Sequence, residues 1–103
     1  MIDINSENFK KEVEEAEGLV LIDFFADWCG PCKLMAPIIH ELEEEYREVK
    51  FCKVDVDKEP ELARLFKIKS IPTVALVKDN TFVDMSVGYV PKANVSKIIE
   101  ENL

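Results

Sequence analysis

The run Leu19–Ala26 is apolar on both of its alternating faces: Leu19, Leu21 and Phe25 interleave with Val20, Ile22, Phe24 and Ala26, and only Asp23 breaks the pattern. Successive side chains of a strand point to opposite sides of a sheet. A strand that is apolar on both sides has to be covered on both sides. This one segment therefore demands a central strand between two layers of helices.

The rest of the chain supplies those layers. Ile2–Ile4 alternates and reads as a short edge strand. Asn5 or Ser6 can cap a helix running to about Glu15, with Phe9 and Val13 at i and i+4 as its apolar stripe; Gly18 ends the unit. A long helical pattern opens at Trp28-Cys-Gly-Pro-Cys-Lys and runs to about Val49. At 100° per residue, Met35, Ile38, Ile39, Leu42 and Tyr46 share one face, and His40, Glu44 and Arg47 fall opposite. Pro37 inside this pattern predicts a kink. Phe51–Val56 reads as a strand, Glu61–Phe66 as a short helix and Thr73–Lys78 as a strand. Asp79-Asn80 makes a two-residue turn into a strand at Phe82–Val87. Pro91 precedes a last helix with Val95, Ile98 and Ile99 on one side. The order is βαβαβ followed by αββα. Strands joined through helices pair in parallel and the final hairpin pairs antiparallel, which gives a mixed sheet with helices on both faces.

A chain of 103 residues suits one domain spanning 1–103. Its net charge of −8 argues against nucleic acid or an anionic membrane as a partner, because both reward clustered Lys and Arg. The acidic excess lies in the runs Glu12–Glu17 and Glu41–Glu48, on helix faces where charges are solvated. No apolar run approaches the roughly 20 residues of a membrane span; Leu19–Ile22 is stopped by Asp23. The segment Met1-Ile-Asp-Ile-Asn has neither a basic region nor an apolar core, so the expected location is the cytoplasm.

Cys29 and Cys32 stand at the seam between the buried strand and the long helix, with Gly30 and Pro31 between them. A helix N-terminus presents free N–H groups and the positive end of the macrodipole, and both favour a thiolate. A spacing of three residues brings the second sulfur one turn inside, close enough to close a disulfide ring. Cys29 is expected to be the more exposed sulfur and to attack a substrate disulfide; Cys32 then resolves the mixed disulfide. Half of a zinc site is the competing reading, but tetrahedral zinc takes four ligands. Only Cys52 and His40 remain, one on a distant strand and one on a polar helix face, so no metal is expected. A structural staple is a second alternative, and a ring this small stabilises little. Cys52 reads as a small buried hydrophobe.

Trp28-Cys29-Gly30-Pro31-Cys32-Lys33 after a hydrophobic strand resembles the thioredoxin family. The resemblance continues through Asp23-Phe24-Phe25-Ala26, Ala36-Pro37, Lys53-Val54-Asp55-Val56-Asp57, Ser70-Ile71-Pro72-Thr73 and Val87-Gly88, over nearly the whole chain. It implies an α/β thioredoxin fold, a three-layer α/β/α arrangement in which a central mixed sheet of five strands is flanked by four helices. It implies dithiol–disulfide oxidoreductase activity with Cys29 as nucleophile and Cys32 as resolving thiol, pairing as the redox-active disulfide. Trp28 resembles the tryptophan beside that disulfide, and Pro72 the cis-proline facing it. Gly30, Pro31, Ile71, Gly88 and Tyr89 match the flat apolar surface where substrate chains dock, and backbone groups beside Pro72 could pair with an extended substrate. The resemblance also implies a monomer without bound cofactor, served by a thioredoxin reductase and acting on disulfide-containing client proteins.

Asp23 lies on the strand covered from both sides, so its pKa should rise, and a group titrating near neutrality under Cys32 could take that thiol's proton. Lys53, on a neighbouring strand, resembles the family's lysine near that aspartate and is expected to be its charge partner. Phe25 stands where many relatives carry a second tryptophan, and Asn80 where relatives place a turn glycine. His40 lies outside the motif and is expected to take no part in proton transfer. A Gly-Pro pair between the cysteines, with no His before the second, points to a reductant rather than an oxidant or isomerase.

Overall fold

The computed structural model describes residues 1–103 throughout. The strand Leu19–Phe25, β2, runs through the middle of a five-stranded sheet. The other strands are β1 (Ile2–Asp3), β3 (Lys50–Asp55), β4 (Thr73–Lys78) and β5 (Thr81–Val87), in the order β1-β3-β2-β4-β5. β2 pairs parallel to β3 and antiparallel to β4, β1 joins β3 in parallel, and β4 and β5 form the antiparallel hairpin. Four helical segments cover the sheet: α1 (Lys10–Glu14), α2 (Gly30–Glu45), α3 (Pro60–Leu65) and α4 (Lys92–Asn102).

The parity of β2 sorts the core into two halves. Leu19 and Leu21 point to the side where Met35, Ile39 and Leu42 of α2 meet Val95 and Ile99 of α4. Val20, Ile22 and Phe24 point the other way, toward Val13 of α1 and Leu62 of α3. Each such large apolar side chain taken fully out of water stabilises the fold by about 1.5–3 kcal/mol. Asp23 shares the parity of Leu19 and Leu21 and therefore faces the layer that contains α2.

The element order follows the sequence reading, and the departures have local causes. The first helix does not run from Asn5 to Glu15. Asn5 Oδ1 accepts from the N–H of Asn8 at 3.0 Å and Asn8 Oδ1 accepts from the N–H of Asn5 at 2.8 Å, so these side chains hold residues 6–8 in a turn. Only a wide helical turn follows, closed by Glu15 N–H donating to Lys10 O at 2.8 Å. α2 stops at Glu45 rather than Val49, because Val49 leaves the helix to enter the core ahead of β3. α2 continues through Pro37 as one helix. α3 begins one residue earlier than expected, with Pro60 in its first turn, where the missing N–H has no helical partner to lose. In the hairpin, Asp79 and Asn80 take φ of +48° and +63°, so Asn80 fills the glycine's usual place. Asp79 also ties this turn to the start of β2, its Oδ1 accepting from Gly18 N–H at 2.9 Å.

Candidate active site

Cys29 caps α2: its Sγ accepts from Cys32 N–H at 3.1 Å, and no acidic residue in the first turn offsets the positive helix end. Cys29 and Cys32 are joined in a disulfide with their Cα atoms 5.3 Å apart. Exposure differs from the sequence expectation. Cys29 is 3% exposed and Cys32 6%, so Cys29 is not the more open of the two. The reason is the loop before β4, which lies over Cys29: Ile71 O sits 3.9 Å from Cys29 Sγ, and Val56 and Ile71 pack on the cluster formed by Ala26, Cys29 and Cys32. That loop carries the cis Ile71–Pro72 bond and is closed by Thr73 Oγ1 donating to Ser70 O at 2.7 Å.

The sulfur pair separates two concavities. On the Cys29 side is a groove of about 480 Å³, lined by Trp28, Gly30, Pro31, Val56 and Ile71 among others. Trp28 is 70% exposed and is fixed by its indole Nε1–H, which donates to Asp57 Oδ2 at 2.8 Å. Asp57 ends the Lys53–Asp57 stretch, and nothing in the sequence links it to Trp28, 29 residues away. Pro72, Gly88 and Tyr89 are not among the residues lining this groove. Pro72 is buried, its carbonyl accepts from Gly88 N–H at 2.7 Å, and Gly88 holds a φ of +86° that suits glycine. Tyr89 is exposed.

On the Cys32 side is a cavity of about 230 Å³, lined by Asp23, Phe25, Cys32, Ala36, His40 and Lys53 among others. Asp23 reaches it because of the parity of β2. Asp23 is 8% exposed and its Oδ1 has no hydrogen-bond partner. Burial pushes its pKa up from 3.8 to about 6, with the Lys53 charge acting in the opposite sense. Lys53 is the in-register neighbour of Asp23 but not its ion-pair partner; its Nζ lies 3.6 Å from Asp3 Oδ1 and 5.8 Å from the centre of the Phe25 ring. Lys53 lies 39% open to water, and reaching the interior carboxyl would strip that hydration, so the outer carboxylate takes it. His40, expected on the far side of α2, stands at the lip of this cavity while remaining exposed. The spacing Cys32, Ala36, His40 at i, i+4 and i+8 was the signal for it. Cys52 is fully buried in β3, where burial pushes its thiol up to about 11 and leaves it inert near neutrality. No group of three or more His, Cys, Asp or Glu side chains is gathered to hold a metal ion, and no helix is long and apolar enough to cross a membrane.

The family model for thioredoxins matches residues 1–101. The chain is 41% identical over 101 residues to Thioredoxin 1 of Nostoc sp., covering 97% of this chain and 94% of that protein. It is 43% identical over 99 residues to a thioredoxin of Chlamydia trachomatis, covering 96% and 95%. A thioredoxin of Bacillus subtilis is 43% identical over 91 residues, covering 87% and 88%. With a Cys-Gly-Pro-Cys pair at the head of α2 and these similarities along nearly its full length, the chain belongs to the thioredoxin family of dithiol–disulfide oxidoreductases.

Proposed function

We propose that the protein is a protein-disulfide reductase, an electron carrier that is re-reduced by a thioredoxin reductase after each turnover. The observation that carries this is the disulfide at the N-terminus of α2, flanked by a buried carboxyl that shares a cavity with Cys32. In the reduced protein the Cys29 thiolate attacks one sulfur of a client disulfide. A mixed disulfide forms and the first client thiolate leaves. Asp23 takes the proton of Cys32 across the cavity, and the Cys32 thiolate attacks Cys29 Sγ. The Cys29–Cys32 disulfide closes and the second client thiolate departs, so two electrons have passed to the client. The client chain lies along the groove, against Trp28, Gly30, Pro31 and Ile71, with Pro72, Gly88 and Tyr89 framing its path. The reading assigns a monomer in the cytoplasm, without bound cofactor and with neither nucleic acid nor membrane as partner; the net charge of −8 supports the last two.

The reduction potential tests the direction of electron flow. Trp28 is the only tryptophan, so its fluorescence can follow the pair in a thiol redox buffer. A value near −270 mV, characteristic of thioredoxins, is expected. A value near −180 mV or above would make the protein an isomerase or oxidant. The absence of a reversible transition would overturn redox function altogether.

The proton acceptor is tested separately. Asp23→Asn is expected to slow resolution of the mixed disulfide by roughly tenfold or more at pH 7, while attack by Cys29 proceeds. The parent loses resolution rate as pH falls through about 6, where Asp23 takes up its proton, and the variant lacks that limb. Equal rates of parent and variant across pH 6–9 would remove Asp23 from the mechanism.

A further inference from the structure

We infer that Asp3 is a positioning residue: by holding Lys53 toward the edge of the sheet, it keeps that ammonium from pairing with the Asp23 carboxylate. The three residues lie in one row across adjacent strands, Asp3 on β1 in register with Lys53 on β3, and Lys53 in register with Asp23 on β2. In-register residues point to the same face, and neighbouring strands are about 4.8 Å apart. One cation therefore stands between two carboxylates, and the structure pairs it with the outer one: Lys53 Nζ is 3.6 Å from Asp3 Oδ1, while Asp23 Oδ1 is left without a partner.

Solvation explains the choice. Asp3 is 83% exposed and Lys53 39%, so their pairing keeps both charges in contact with water. Pairing Lys53 with Asp23 would cost the ammonium part of that hydration but gain an unpartnered carboxylate, so the outer partner that Asp3 supplies decides which way Lys53 turns. The other ionisable groups at the cavity are Asp27 after β2, Lys33 and His40 on α2, and the Met1 amino group, which is paired with Glu43 Oε2 at 2.9 Å. None lies in the row that joins Asp3 to Asp23. With Lys53 engaged by Asp3, Asp23 keeps the proton affinity that burial gives it.

This inference rests on the reading of Asp23 as the proton acceptor for Cys32, and the test separates the two. The titration midpoint of Asp23 is measured by carboxyl carbon NMR in the oxidised protein, where no thiol titrates beside it. Asp3→Asn preserves shape at an exposed site and frees Lys53, so the Asp23 midpoint is expected to fall by about half a pH unit. Lys53→Met is expected to move it the opposite way. In the Lys53→Met background, Asp3→Asn is expected to lose most of its effect, because the residue it acts through is gone. Any result other than a fall that depends on Lys53 overturns the inference, including no shift, a rise, or equal shifts in both backgrounds. The acid limb of mixed-disulfide resolution is then compared between parent and Asp3→Asn. If the NMR midpoint falls and the kinetic limb stays, the positioning by Asp3 stands and the proton-acceptor reading fails.

Discussion

Cys32→Ser is expected to halt the protein halfway, leaving Cys29 covalently bound to its client. The attacking sulfur is retained at the helix N-terminus, so the first bond still forms, but no second sulfur remains to break it. Incubation of the reduced variant with a disulfide-bonded protein should yield a species of summed mass that a small thiol releases. Cys29→Ser removes the nucleophile, and turnover is expected to drop to the uncatalysed rate, with no trapped species. The contrast matters because Cys32 is slightly the more exposed residue of the two in the oxidised protein. If Cys29→Ser were the variant that traps clients, the two roles would be exchanged. If the Cys29→Ser/Cys32→Ser double variant kept full cellular function, the protein would be a binding module and its redox chemistry incidental.

Asp23→Asn is expected to make the protein more stable at neutral pH, by about 3 kcal/mol. Folding lifts the carboxyl from 3.8 to about 6, and each unit of such a shift is worth about 1.4 kcal/mol. The folded protein binds the Asp23 proton more tightly than the unfolded chain does. Stability from this group is therefore greatest below pH 3.8, declines as pH rises through the interval to about 6, and is fully lost above it. Asn has the shape of the protonated carboxyl and does not titrate. Parent and variant should thus be nearly equal at pH 3.5, diverge up to about pH 6 and stay a constant distance apart to pH 7, as measured by urea unfolding of the oxidised proteins. Stability curves that run parallel over that range would show that burial does not raise this carboxyl. A residue that weakens the fold where the protein works is what a proton acceptor placed in the interior requires.

The parts of this architecture set by periodicity were readable in the chain. The double-faced run Leu19–Ala26 required a central strand with two covering layers, and β2 is that strand. The same run singled out Asp23 as the one polar residue in it. Its direction followed only once the two core halves were known, because parity says that two residues share a face but not which helix covers that face. What stayed hidden depends on contacts between segments distant in the chain. Nothing near Cys29 announces that Ile71 will lie over it. Asp57 holds the Trp28 indole across 29 residues of sequence. Lys53 had two carboxylates in reach, and only the placement of β1 beside β3 shows which one it pairs with. Helix ends were blurred for a different reason. The Asn5–Asn8 side-chain exchange and the entry of Val49 into the core override helical propensity, which is a weak local preference.

The groove at Cys29 and the cavity at Cys32 have no lining residue in common. In the proposed reaction, electrons leave toward the first and the Cys32 proton is taken up in the second, so the two kinds of traffic have separate doors. Lys33 and His40 are exposed at the other opening, so a client seated in the groove need not cover them. The pH dependence of release should then be a property of the carrier alone. One small protein could discharge partners of very different size and shape with the same timing.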